Sequence, residues 1–203
     1  MIEIIFSIAV LIFSVVVHEV SHGVAANLLG DPTAKYQGRL TLNPIPHLDL
    51  FGSILLPLFF VLVNSPIFFA YAKPVPYNPY NLRNQRWGPA IVGLAGPGAN
   101  ILTALIFALV MNAGFFPSAS SLIFLVIIQI NIWLALFNLI PVPPLDGSKL
   151  LFSLLPPRFY NLEAMLERYG FFILIVLLFV LPGLILAPLF NFATIIVRLL
   201  AGA

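Results

Sequence analysis

The stretch Ile4–Leu29, IIFSIAVLIFSVVVHEVSHGVAANLL, decides how the rest of the chain is read. An apolar run of this length matches a hydrocarbon layer about 30 Å thick. It nevertheless contains His18-Glu19-Val20-Ser21-His22. An ionisable group at mid-bilayer costs about 2.5–3.5 kcal/mol, so this cluster persists in lipid only with partners or a metal ion. On a helix, residues four apart share a face, which brings both imidazoles to one point. Neutral imidazoles suit zinc, and the intervening carboxylate reaches a water at the metal as general base. The same pattern also arises as packing histidines and a solvated glutamate on ordinary helices. Its place inside a membrane run is what argues against that reading.

Composition supports a lipid solvent. Of 203 residues, 61% are hydrophobic and 8% charged, against roughly 25% charged in a soluble domain. The predicted class is an all-α polytopic membrane protein with apolar segments near 4–29, 51–72, 89–113, 119–140 and 170–200. Pro182-Gly183 and Pro188 interrupt the last, leaving one broken helix or two, hence five to six segments. The N-terminal run lacks a basic n-region and is too long for a signal core, so it reads as a retained helix. A net charge of +2 gives no basic patch and no expectation of nucleic acid. With no cysteine, any metal is held by nitrogen and oxygen. Gly38-Arg39-Leu40-Thr41-Leu42-Asn43-Pro44 alternates polar and apolar residues before a turn, predicting a short strand near 38–44.

Basic residues order the topology. Lys35 and Arg39 follow the first segment, Lys73, Arg83 and Arg86 the second, and Lys149, Arg158 and Arg168 the fourth. All fall on one side if 51–72 is a re-entrant hairpin, as Pro57 and Asn64-Ser65-Pro66 suggest. The basic side is then cytoplasmic, in a multi-pass protein expected in the plasma membrane.

A catalytic zinc takes three protein ligands and keeps one position open. The candidates for the third are Asp31, Asp49, Asp146, Glu163, Glu167 and His47. Asp146 stands out because Asn138-Leu139-Ile140-Pro141-Val142-Pro143-Pro144-Leu145-Asp146-Gly147 ends an apolar helix in broken backbone, where a carboxylate can turn inward. It meets His18 and His22 only if the first and fourth segments run parallel, the topology that the charge bias also selects.

These two motifs together resemble the site-2 protease family of intramembrane metalloproteases. H-E-x-x-H is met by His18, Glu19 and His22, and N-x-x-P-x-x-P-x-D-G by Asn138, Pro141, Pro144, Asp146 and Gly147. Gly96-Pro97-Gly98-Ala99-Asn100 is also similar to the family. The resemblance implies one zinc per chain on His18, His22 and Asp146, Glu19 as general base, and Asn138 steadying substrate or oxyanion. It covers a core of about 4–150 within a single domain read over 1–203, with C-terminal membrane helices at 170–200. As a compact member it is expected to lack the PDZ or nucleotide-sensing domains of larger relatives.

The expected reaction is peptide hydrolysis in membrane-spanning or membrane-adjacent protein substrates. Zinc acidifies its water and polarises the scissile carbonyl, while Glu19 moves the proton to the leaving amine. Because a substrate helix is already hydrogen-bonded, it must unwind first, and extended backbone at 38–44 or 51–72 is the expected place to hold it. The rival readings are a membrane metal-ion transporter and an inactive relative that binds membrane segments. His47 is expected to brace its loop rather than touch substrate. Glycines 93, 96 and 98 are expected to allow close helix approach, and Gln129 and Asn131 to bond between helices. Arg198 is expected to snorkel to the interface.

Overall fold

The computed structural model describes residues 2–55, 59, 62–63, 72–117 and 121–202, and among these every regular element is helical. The helices are α1 (Ile2–Leu28), α2 (Thr33–Tyr36), α3 (Gly88–Asn112), α4 (Ser121–Asn138), α5 (Gly147–Leu154), α6 (Tyr160–Phe179) and α7 (Pro182–Ala201). Four of them, α1, α3, α4 and α7, are long and apolar enough to cross a membrane. Ile4, Ile5, Leu102, Leu109, Leu122 and Leu199 turn large apolar side chains outward, as a lipid-facing surface requires.

Contacts between the helices fix their directions. Ser14 of α1 lies beside Asn131 of α4, and His18 beside Asp146 just past the end of α4, so α1 and α4 run parallel. Asn100 meets Ser14 while Val92 meets His22, so α3 runs antiparallel to α1. The chain leaves α1 and enters α3 at one end of the bundle, where the Arg83 N–H donates to the Leu29 carbonyl at 2.9 Å. The hairpin predicted at 51–72 lies largely outside the described residues; its start, Leu50–Leu55, forms a π-helical turn.

Small residues set the helix spacing. Ala104 and Ala108 of α3, Ile128 and Ile132 of α4 and Ala193 of α7 form one buried cluster. The three alanines let backbones approach where lipid offers no hydrophobic drive to association. A second cluster packs Ile140 and Leu145 of the proline connector on Leu174 and Leu178 of α6. There Gly170 lies so close to Pro143 that a Cβ would stand 2.6 Å from its carbonyl oxygen.

Two expectations need correction or refinement. No strand occurs at 38–44, which is irregular backbone. The alternation is real, but side chains replace a ladder. Arg39 donates to the carbonyls of Pro46, Lys73 and Pro74, and the amides of Asn43 and Ile45 donate to Thr41 Oγ1 and Asn43 Oδ1. The segment predicted at 170–200 is two helices separated at Val180-Leu181, with Pro182 at the first turn of α7, where its missing N–H costs nothing. The first of them begins at Tyr160, ahead of the apolar run.

Candidate metal centre

His18 and His22 project from α1 onto one spot, their ring centroids 4.6 Å apart. Ligand atoms of His18, Glu19 and His22 all lie within 4.8 Å of one another. The third group arrives from the connector after α4. Its prolines offer no N–H to prolong the helix, and the chain folds back so tightly that a Cβ on Gly147 would stand 2.2 Å from the Leu139 carbonyl oxygen. Asp146 therefore takes the position preceding α5. An aspartate there ordinarily caps the helix through its side chain, but this one makes no cap hydrogen bond. Asp146 Oδ2 instead lies 3.0 Å from His18 Nε2 and 3.1 Å from His22 Nε2.

The partners of the far ring nitrogens decide what these close contacts mean. His22 Nδ1 stands 2.6 Å from the Val92 carbonyl oxygen, which can only accept, so Nδ1 carries the proton. His18 Nδ1 stands 2.6 Å from Asn100 Oδ1, again an acceptor. In the neutral rings, both Nε2 lone pairs then face a carboxylate oxygen with no hydrogen between them. Three converging acceptors repel one another unless a cation sits among them. Ligand atoms about 2.0–2.1 Å from a tetrahedral zinc stand roughly 3.3 Å apart, close to the two separations found here. The donor set, two imidazoles and a carboxylate, fits that metal.

All three groups are buried, at 5% exposure for His18, 6% for His22 and 7% for Asp146. Burial alone would push the Asp146 carboxyl up, and the Lys149 ammonium at its other oxygen acts against that, in favour of the ionised form. Asp146 thus stays in the ionised form a cation needs. Lys149 Nζ is 2.9 Å from Asp146 Oδ1 and 5.5 Å from the centre of the Tyr77 ring. Burial would lower the lysine, and the Asp146 carboxylate reverses that and raises it. Glu19 is half-buried, and its Oε2 accepts the Val75 N–H at 2.8 Å.

Gly96 of α3 makes the room. A Cβ there would lie 2.5 Å from His22 Nε2 and 2.6 Å from His18 Nε2. Gly93 fits against Lys149 and the Asp146 carbonyl, whereas Gly98 faces open space.

The remaining candidates sit elsewhere. Asp31 has no exposed surface and braces loops, accepting from Thr33 N–H and Oγ1, the Asn78 N–H and the Asn81 amide. Asp49 accepts from the Gly52 N–H. His47 is buried, with Nε2 at 2.9 Å from the Thr41 carbonyl oxygen, a loop contact. Glu163 and Glu167 line an open cleft of about 730 Å³, with Lys149, Tyr77, Arg86 and Tyr160 among its other walls. Asn138 donates its amide back to the Leu134 carbonyl at 2.9 Å. Asn131 bonds between helices, while Gln129 faces outward. Lys149 and Asn100 escaped the sequence reading as members of this site, although Lys149 follows Asp146 by one helical turn and Asn100 closes the Gly96–Asn100 motif.

Residues 115–181 match the family described as Peptidase family M50. Three relatives share the printed name "Putative zinc metalloprotease". YwhC of Bacillus subtilis is 39% identical over 197 residues, covering 92% of this chain and 86% of its own. Rip2 of Mycolicibacterium smegmatis is 30% identical over 171 residues, covering 82% and 64%. MJ0611 of Methanocaldococcus jannaschii is 40% identical over 62 residues, covering 30% and 31%. No solved structure matches the chain.

Proposed function

Because the chain belongs to peptidase family M50, the site-2 protease family, we propose that it hydrolyses peptide bonds of membrane-spanning or membrane-adjacent proteins, at one zinc held by His18, His22 and Asp146. The observation that carries this reading is the convergence of three acceptor atoms, from segments 128 residues apart, with the Glu19 carboxylate beside them. Bound there, zinc supplies a Lewis acid for the scissile carbonyl and acidity for the attacking water.

Glu19 takes the proton of that water and passes it to the leaving amine. The Val75 N–H holds Oε2, which leaves Oε1 for the proton. Asn138 suits an oxyanion role once its amide turns from Leu134 toward the substrate. A membrane-spanning substrate unwinds before its carbonyl reaches the site, since helical backbone is already hydrogen-bonded. The whole of 1–203 acts as one membrane-embedded domain.

Orientation follows from charge. Lys35, Arg39, Lys73, Arg83, Arg86, Lys149, Arg158 and Arg168 gather at the end of the bundle where α1 stops and α3 starts. Arg198 lies at the other end, since Asn112 at the end of α3 bonds Leu200. Positive loops stay inside, which puts the site toward the cytoplasm of a plasma-membrane protein.

The test uses Glu19→Gln and the unaltered chain in vesicles with a membrane-spanning reporter. The variant keeps its zinc and loses cleavage by roughly 10²–10⁴-fold. Equal cleavage by both overturns the assignment of Glu19. Zinc crossing the vesicle membrane at equal rates in both, without cleavage, supports a transporter instead.

A further inference from the structure

Three polar side chains are buried where α1, α3 and α4 meet: Ser14 at 5% exposure, and Asn100 and Asn131 at 0%. Amides in a membrane interior are costly unless every group is partnered. Close packing of α3 on α4 does not call for them, since Ala104 already lies in the cluster these two helices share, with no exposed surface.

Their hydrogen bonds run in one direction. Asn131 Nδ2 donates to the Ile127 carbonyl and to Ser14 Oγ, both at 2.9 Å. A backbone carbonyl only accepts, so the amide cannot be reversed, and Asn131 Oδ1 must face Asn100. There it accepts from Asn100 Nδ2 at 2.9 Å, while the same nitrogen donates to the Ser14 carbonyl at 3.1 Å. With its nitrogen fixed by these two acceptors, Asn100 presents Oδ1 to His18 Nδ1 at 2.6 Å. That contact requires the proton on Nδ1 and leaves the lone pair on Nε2, which points at the metal centre. His22 needs no such device, because its Nδ1 meets the Val92 backbone carbonyl directly.

We propose that Asn131 and Ser14 orient Asn100, and that Asn100 fixes the His18 tautomer presenting Nε2 to the metal. All three are positioning residues: none contacts the reacting atoms, and the relay acts through His18 alone. The inference rests on the metal site proposed above.

Zinc affinity, measured by chelator competition on the detergent-solubilised full chain, reads the relay without reference to cleavage. Removing the outer partner of a ligating histidine typically weakens metal binding by roughly 10–100-fold, and Asn100→Ala is expected in that range. Asn100→Asp keeps an acceptor on Nδ1 and binds more tightly than Asn100→Ala. A residue that only bonds helices together gives the reverse order, because the aspartate places a charge against Asn131 Oδ1. Asn131→Leu weakens zinc less than Asn100→Ala does, and the double variant is no weaker than Asn100→Ala, since the two act in series.

An Asn100→Asp affinity below that of Asn100→Ala, or losses that simply add, overturns the relay. Should Asn100→Ala fail to fold, Asn131→Leu carries the test: unchanged zinc affinity overturns the proposal, and a loss supports it. If the unaltered chain itself binds no zinc, the metal site falls and the relay falls with it. Tight zinc in the unaltered chain with no effect of Asn100→Ala sinks the relay alone.

Discussion

Lys149 Nζ and Asp146 Oδ1 lie 2.9 Å apart, Asp146 immediately preceding α5 and Lys149 in its first turn. This contact divides the carboxylate, since the other oxygen, Oδ2, faces the two imidazoles. The ammonium therefore orients the carboxylate that we propose as the third metal ligand. Lys149→Met keeps much of the apolar stem and removes the charge. Zinc affinity should fall roughly tenfold or more, read by chelator competition at neutral pH. Unchanged affinity would assign Lys149 to the cleft that it also lines.

The Val75 N–H holds Glu19 Oε2 at 2.8 Å. Residues before proline are already confined to extended backbone, and Val75 precedes Pro76 and follows Pro74. Val75→Pro thus removes the donor with little change of backbone shape. A hydrogen bond to a charged group contributes about 1.5–3 kcal/mol, so kcat should drop roughly 10–100-fold while zinc content stays at the unaltered level. Steady-state kinetics paired with metal analysis separates these quantities.

Gly96 and Gly98 form an internal control on α3. A Cβ on Gly96 would press on both imidazoles at 2.5–2.6 Å, whereas one on Gly98 meets nothing within 4 Å. Overpacking costs about 1–3 kcal/mol. Gly96→Ala should weaken zinc by roughly tenfold, and Gly98→Ala should leave it as it was. Equal effects would mean that the close approach of α3 to α1 does not shape the site.

Asp31 supplies a pH prediction away from the metal. Burial would raise its carboxyl, but hydrogen bonds from Thr33, Asn81 and Asn78 outweigh that and hold the pKa below the ordinary 3.8. A carboxylate with a depressed folded pKa contributes stability that is present above its unfolded pKa and lost as pH falls through the folded one. Asp31→Asn should lower thermal stability near neutral pH by about 2–3 kcal/mol. The gap to the unaltered chain should narrow once the pH drops below about 3.8. A gap independent of pH would show that the ionised form contributes nothing.

The spatial meeting of two distant motifs is legible in the sequence because each carries its own physical constraint. Imidazoles four apart on a membrane helix need a partner, and three prolines after an apolar helix force a turn that can aim Asp146 inward. Asn100 and Lys149 are not legible as site members, because which face of α3 meets α1, and how α5 restarts after the prolines, depend on packing. The alternation at 38–44 misleads because Arg39, a single guanidinium, satisfies carbonyls that a neighbouring strand would otherwise bond. The early start of α6 at Tyr160 is hidden because Glu163, Glu167 and Arg168 interrupt the apolar run there.

The most direct test of the single metal site is zinc content per chain in the purified detergent-solubilised protein, compared with Asp146→Ala. One zinc per unaltered chain, lost or markedly weakened in the variant, is the predicted result, because Asp146 Oδ2 stands 3.0 and 3.1 Å from the two imidazoles. Zinc held equally well by both chains would contradict the account, since His18 and His22 would then bind the metal without the connector that follows α4.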